Sequence, residues 1–106
     1  MKALTILAEV ENYIRKVQDA SDKEYRDHYP TLYEAGKISR YSFTTGPKYY
    51  KVIDNMSNVQ QSVFCFIDRS NGDIYKADSW SRPAKHVRGN IFNENVPLTL
   101  GSLYMR

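Results

Sequence analysis

The sequence predicts an α+β domain in which an N-terminal amphipathic helix packs on a three-stranded antiparallel β-sheet, with a basic C-terminal segment folded back over a sheet edge. Three observations carry this expectation. Apolar residues step by three and four through the first eighteen positions. Two β-rich runs flank the turn-forming sequence Asn71-Gly72. The whole formal excess of +3 arises at the far end of the chain: residues 1–79 hold 11 Lys/Arg and 11 Asp/Glu, and residues 80–106 hold 4 Lys/Arg against Glu94 alone.

Taken in order, Ala3, Ile6, Leu7, Val10, Tyr13, Ile14 and Val17 form one apolar stripe with Glu9, Glu11, Asn12, Arg15 and Lys16 between them, the spacing of an amphipathic helix. Ser21 followed by Glu24 has the form of a capping box, so residues 22–28 make a second helical segment or a bend before Pro30 stops it. Residues 30–46 contain Pro30, Gly36 and Gly46, sustain no period, and are expected to form an extended surface connector. The run Tyr49-Tyr50-Lys51-Val52-Ile53-Asp54 is rich in β-formers and leads to a polar, turn-like cluster at residues 54–58. In Ser62-Val63-Phe64-Cys65-Phe66-Ile67-Asp68, alternation puts Val63, Cys65 and Ile67 on one face and Phe64 and Phe66 on the other, which suits a central strand covered on both sides. With Gly72 in a left-handed position of a three-residue loop, Arg69 and Asp73 would face each other as an opposite-charge pair, and residues 74–80 would return as strand three. The tail, residues 92–106, is weakly patterned, and Pro97 and Gly101 argue against a long regular element there.

A chain of 106 residues fits one domain, residues 1–106. Its 42% hydrophobic content and 14 aromatic residues are those of a chain that folds. No apolar run approaches the ~20 residues that span a bilayer, and the N-terminus has no signal-peptide pattern. The expected setting is cytoplasmic, without membrane association. One cysteine, Cys65, leaves no internal disulfide and no metal-binding Cys pair.

The functional signal is concentrated in Trp80-Ser81-Arg82-Pro83-Ala84-Lys85-His86-Val87-Arg88-Gly89-Asn90. Pro83 suits a first helical turn and Gly89 a helix end, so residues 83–88 are expected to form one or two helical turns. Free N–H groups at such a start, with Arg82, Lys85, His86 and Arg88 around them and Asn90 behind, would favour a phosphate, and Trp80 offers a face on which a base can stack. The ligand-binding set on this reading is Trp80, Arg82, Lys85, His86, Arg88 and Asn90. The competing reading makes Trp80 a core residue and the basic residues a solvated rim paired with acidic helix faces. Tyr25, Tyr29, Tyr33, Tyr41, Tyr49, Tyr50, Tyr75 and Tyr104 could likewise line a binding surface, or serve the core and its edge.

No catalytic arrangement is recognised. Cys65 lies mid-strand between Phe64 and Phe66, the place of an inert buried thiol. His86 with Asp78 is the one acid–base pairing worth carrying, as a minor hydrolase alternative. Asp68-Arg69-Ser70-Asn71-Gly72-Asp73 lacks the glycine position and bidentate Glu of a calcium loop. There is no phosphate-binding glycine loop, dinucleotide turn or zinc-ligand pair, so no cofactor and no metal are expected.

The stretch from residue 48 to residue 92, carried by Ser62-Val63-Phe64-Cys65-Phe66-Ile67-Asp68, Asn71-Gly72-Asp73-Ile74-Tyr75-Lys76-Ala77 and Arg82-Pro83-Ala84-Lys85-His86-Val87-Arg88-Gly89-Asn90-Ile91-Phe92, resembles a group of short proteins of tailed bacteriophages that has no assigned activity. That resemblance implies a viral origin and the cytoplasm of an infected cell, or the virion, and transfers no catalytic residue. The function expected from the sequence is therefore a non-enzymatic bacteriophage accessory protein that binds a phosphate-bearing ligand, nucleic acid or nucleotide. The alternative is a protein-interaction module, for a host protein or within the virion, that uses exposed aromatic surface.

Overall fold

A computed structural model describes residues 2–56, 60–93, 95–99 and 103. The chain is α+β, with helices α1 (Lys2–His28) and α2 (Pro30–Glu34) followed by strands β1 (Ser39–Thr45), β2 (Tyr49–Met56), β3 (Gln60–Asp68), β4 (Asp73–Ala77) and β5 (Pro83–Asn90). The strands form one antiparallel sheet in the order β1-β2-β3-β4-β5, so the sheet has five strands where the sequence led us to expect three.

α1 runs unbroken for 27 residues. Neither Gly nor Pro interrupts it, and its second half is held by pairs one turn apart: Gln18 Nε2 donates to Asp22 at 2.9 Å and Lys23 Nζ meets Asp27 at 2.8 Å. Ser21 therefore lies inside the helix and caps nothing, since a Ser-x-x-Glu pattern is equally at home in a helix interior. Pro30 ends α1 by forcing Tyr29 out of helical geometry, to φ −138° and ψ 58°. α2 then closes at Gly36, whose φ of +74° lets the Lys37 N–H reach back to the Leu32 carbonyl at 2.9 Å.

The two additional strands flank the three expected ones. In β1, Tyr41 and Phe43 alternate with Ser42 and Thr44, a period of two whose signal is weakened by the nearby Gly36, Gly46 and Pro47. β5 is an edge strand, where Lys85 and His86 can stay exposed while the backbone pairs on one side only. The basic segment is thus part of the sheet itself.

Ile6, Val10, Tyr13 and Val17 of α1 meet Tyr50, Val52, Cys65, Ile67 and Ile74 across the helix–sheet interface, with Ile91 and Leu103 completing the core. β3 is the middle strand of the five. Opposite it, Val52 pairs with Cys65 and Ile53 with Val63, so Phe64 is the extra residue of a β-bulge. The bulge corrects the simple alternation: Phe64 joins Cys65 in the core, Val63 stands opposite Ile53, and Phe66 alone of the expected pair faces away from α1. Phe64 meets Tyr41 edge-on at 5.4 Å.

The β3–β4 turn uses Gly72 at φ +82°, with its N–H on the Asp68 carbonyl at 2.9 Å. Arg69 does not face Asp73. It reaches the β1–β2 turn instead, donating from Nη1 to the Gly46 carbonyl at 2.7 Å and covering the Tyr50 ring at 5.5 Å. β4 stops at Ala77, so Trp80 lies in the β4–β5 loop and not in a strand. β2 continues through Met56 across the expected turn, and Ser57 and Asn58 lie outside the described residues. Beyond β5 the tail crosses back to the helix: Val96 and Leu98 pack on the core, and the Tyr13 hydroxyl donates to the Pro97 carbonyl at 2.5 Å. No helix among the described residues is long and apolar enough to cross a membrane.

Candidate functional site: an aromatic and basic sheet face

α1 covers one face of the sheet; the other carries Tyr49, Lys51, Phe66, Tyr75 and Val87, set there by strand alternation and by the pairings Lys51–Phe66, Phe66–Tyr75 and Tyr75–Val87. Phe66, 3% exposed, lies beneath its neighbours. Tyr49 meets it edge-on at 5.8 Å and meets Tyr75 at 6.0 Å. The Lys51 ammonium sits 5.9 Å from the Phe66 centroid and 4.5 Å from that of Trp80, and Lys48 lies 5.5 Å from Tyr49. Trp80 is 48% exposed and Val87 50%, which removes the reading of Trp80 as a core residue. A hollow of 320 Å³ on this face is bordered by Lys48, Tyr49, Lys51, Phe66 and Ser81.

Residues 83–88 form no helical turn. They are strand β5, because a helix of one or two turns nucleates poorly in isolation whereas the free edge of β4 offers ready-made backbone partners. Pro83 begins the strand, the position where its missing N–H is tolerated. Register shifts on either side of Tyr75 mark bulges in the β4–β5 pair, and these loosen the alternation enough to group Arg82, Lys85 and His86 around one hollow of 530 Å³ with Asp78. No helix N-terminus supplies anion-binding N–H groups here; the basic side chains alone carry the charge. Arg82 is held against Asp78 by Nη2 at 3.0 Å and Nε at 3.2 Å, an exposed pair of the kind that contributes at most about 1 kcal/mol and gives way readily to a stronger anion.

Two of the predicted residues stand apart. Arg88 is half-buried. Asn90 is part of the turn: its amide donates to the Asn71 carbonyl and to Asp73, each at 2.9 Å, and its oxygen accepts from the Phe92 N–H at 2.9 Å. Its hydrogen-bonding groups are engaged within the fold. Sequence reasoning missed Lys51, Phe66 and Lys48 as site residues, although a signal existed: Lys51 alternates with the apolar Tyr50 and Val52, which places it opposite the core.

His86 and Asp78 border the same hollow, with the Asp78 carboxylate turned to Arg82. Cys65 is fully buried beside Tyr13, and burial pushes its thiol well above the ordinary range, so it is no nucleophile. Among the described residues no three His, Cys, Asp or Glu side chains cluster in a way that could hold a metal ion.

The whole of this frame, from α1 to the tail segment that meets Tyr13, falls within a single family match spanning residues 1–99. The chain belongs to DUF7717, a family of unknown function. No curated protein and no solved structure matches it. The DUF7717 match takes in the open sheet face and both hollows beside it.

Proposed function

We propose that this chain binds a phosphate-bearing ligand, single-stranded nucleic acid or a nucleotide, across the open face of its sheet, and that it acts by binding and not by turnover. The observation that carries the reading is the Lys51 ammonium held between Phe66 and the half-exposed Trp80, on a face that α1 leaves uncovered. Aromatic rings displayed on a sheet accept bases by stacking, at about 1–3 kcal/mol per base, whatever their sequence. Trp80, Tyr49 and Tyr75 supply that surface; Lys48, Lys51, Arg82, Lys85 and His86 supply charge for the phosphates. Ser81 borders the aromatic hollow and Arg82, the next residue, borders the basic one, so a ligand can span both. A formal charge of +3 is modest, which favours a short oligonucleotide or a nucleotide over a long duplex. The resemblance of residues 48–92 to tailed-phage proteins supports an accessory role in an infected cell.

Fluorescence anisotropy with a labelled oligothymidine at low ionic strength tests this. Binding is expected to weaken steeply with added salt, to lose about 1–3 kcal/mol in Trp80→Ala, and to show a shallower salt dependence in Arg82→Ala/Lys85→Ala, with Lys48 and Lys51 retaining the rest. Absence of binding to oligothymidine, oligouridine and free nucleotides at low salt removes the proposal. Binding of a protein partner through the same rings would instead persist in salt.

A further inference from the structure

On the helix side of the sheet a further, larger hollow of 610 Å³ opens between the C-terminal half of α1, α2 and the β1–β2 edge. Its walls are aromatic and apolar: Tyr25, Tyr29 and Tyr41, with Leu32 and Met56, of which Tyr29, Leu32 and Met56 are among the chain's exposed large apolar residues. Tyr25 and Tyr29 stand one helical turn apart with their rings 5.9 Å apart and inclined at 57°. Such a wall is open to solvent but shaped by three elements, unlike the flat sheet face.

One polar group in it is incompletely engaged. Asp54 Oδ1 is buried and has no hydrogen-bond partner, although Asp54 borders the hollow and stands opposite Tyr41 in the β1–β2 register. A buried carboxylate oxygen left without a donor costs free energy, more than a neutral acceptor would. Burial accordingly holds the Asp54 carboxyl above the ordinary carboxylate range, with the Ser39 and Tyr41 hydroxyls opposing the shift. Glu24 borders the hollow as a second carboxylate, against Lys37 as the one cation on its rim among the described residues. The balance of charge is the reverse of the basic sheet face.

We propose that this hollow is a binding site for a small organic cation, a primary ammonium carried on an aromatic or aliphatic body. The ammonium pairs with the Asp54 carboxylate at the wall of the hollow while its body packs on Tyr25, Tyr29, Tyr41, Leu32 and Met56, and the tyrosine faces add cation–π attraction. The site lies on the opposite face of the sheet from the proposed nucleic-acid surface and does not depend on it.

Isothermal titration calorimetry of the full chain with three matched probes tests the assignment: tyramine, neutral 4-ethylphenol, and anionic 4-hydroxyphenylacetate. Tyramine is expected to bind at least about ten-fold more tightly than 4-ethylphenol, as one charge-assisted hydrogen bond implies, and 4-hydroxyphenylacetate not at all. Asp54→Asn should abolish the preference for tyramine over 4-ethylphenol, and Tyr29→Ala, at an exposed position, should weaken both. Equal affinity for tyramine and 4-ethylphenol, no binding of tyramine at millimolar concentration, or tyramine affinity unchanged in a folded Asp54→Asn would each overturn the proposal. Should Asp54→Asn fail to fold, unchanged tyramine affinity in Tyr29→Ala overturns it by itself. Arg82→Ala/Lys85→Ala should leave tyramine binding unaltered, which separates this site from the sheet face.

Discussion

The Lys51 ammonium lies over the Trp80 indole, 4.5 Å from the ring centroid, across the gap between β2 and the β4–β5 loop. That contact joins the one tryptophan of the chain to the middle of the open sheet face, so Trp80 emission reports on it directly. Oligothymidine is expected to quench Trp80 emission as a base displaces or covers the lysine, and Lys51→Met should alter the emission of the free protein and weaken oligonucleotide binding. Unchanged emission at saturating oligonucleotide would place the ligand elsewhere.

A second relationship concerns the outer edge of β1. The Gln18 side chain donates from Nε2 to the Ser39 carbonyl at 2.9 Å and accepts the Tyr41 N–H at 2.9 Å through Oε1. A single amide thus stands in for one residue of a missing neighbour strand. Gln18→Leu leaves two part-buried backbone groups unmatched and is expected to cost about 1–3 kcal/mol in urea denaturation. A cost below a few tenths would mean that solvent replaces the amide without penalty.

Two glycines with positive φ separate strain from crowding. Gly36, at φ +74°, has nothing within 4 Å of an added Cβ, whereas at Gly72, φ +82°, a Cβ would lie 2.8 Å from Ile91 Cγ1 and 3.0 Å from Phe92 Cε2. Gly36→Ala should cost about 1–2 kcal/mol, the left-handed penalty alone. Gly72→Ala carries the same penalty and also displaces Ile91 from the core, so its melting temperature should fall clearly further. Equal losses would show that the turn relaxes freely.

Asp54 gives a pH dependence with a definite sign. Burial raises its carboxyl in the folded chain above the ordinary aspartate value of 3.8, so the native state holds its proton more tightly than the unfolded chain does. Stability from this group is greatest below pH 3.8 and is lost as pH rises through the folded value. Asp54→Asn is therefore expected to gain stability relative to the parent as pH rises from acid to neutral, measured by denaturant unfolding across that range. A gap independent of pH would contradict the raised value.

Much of this architecture is legible in the residues. The stripe from Ile6 to Val17 announces α1 because the helix buries one face only, and the run from Val63 to Ile67 announces the central strand because α1 buries its core side while neighbouring rings shelter Phe66 on the open side, where the sequence led us to expect a second covering layer. β1 is obscured by the glycine and proline residues around it, which read as a loop when the strand is short and half-exposed. β5 is obscured by its own chemistry: Pro83 and Gly89 have the form of helix punctuation, and only the free edge of β4, a long-range fact, decides for a strand. The bulge at Phe64 is hidden for the same reason, since it is defined by its partner strand. At the candidate site, Trp80, Arg82, Lys85 and His86 could be named from composition, but Lys51 comes between Phe66 and Trp80 only through the register of the strands.

The unbroken strand order from β1 to β5 has a kinetic side. Every strand pairs with the strand just before it in the chain, so the sheet can zip from hairpin to hairpin with short loop closures at each step, the regime of low contact order and rapid folding. The Tyr13–Pro97 bond spans 84 residues and cannot form until residue 97 has left the ribosome. The stripe of α1 can pack as soon as the sheet is there, but its last fastening is the tail: a nascent chain stalled before residue 97 would carry a helix seated on the sheet without the Tyr13–Pro97 latch.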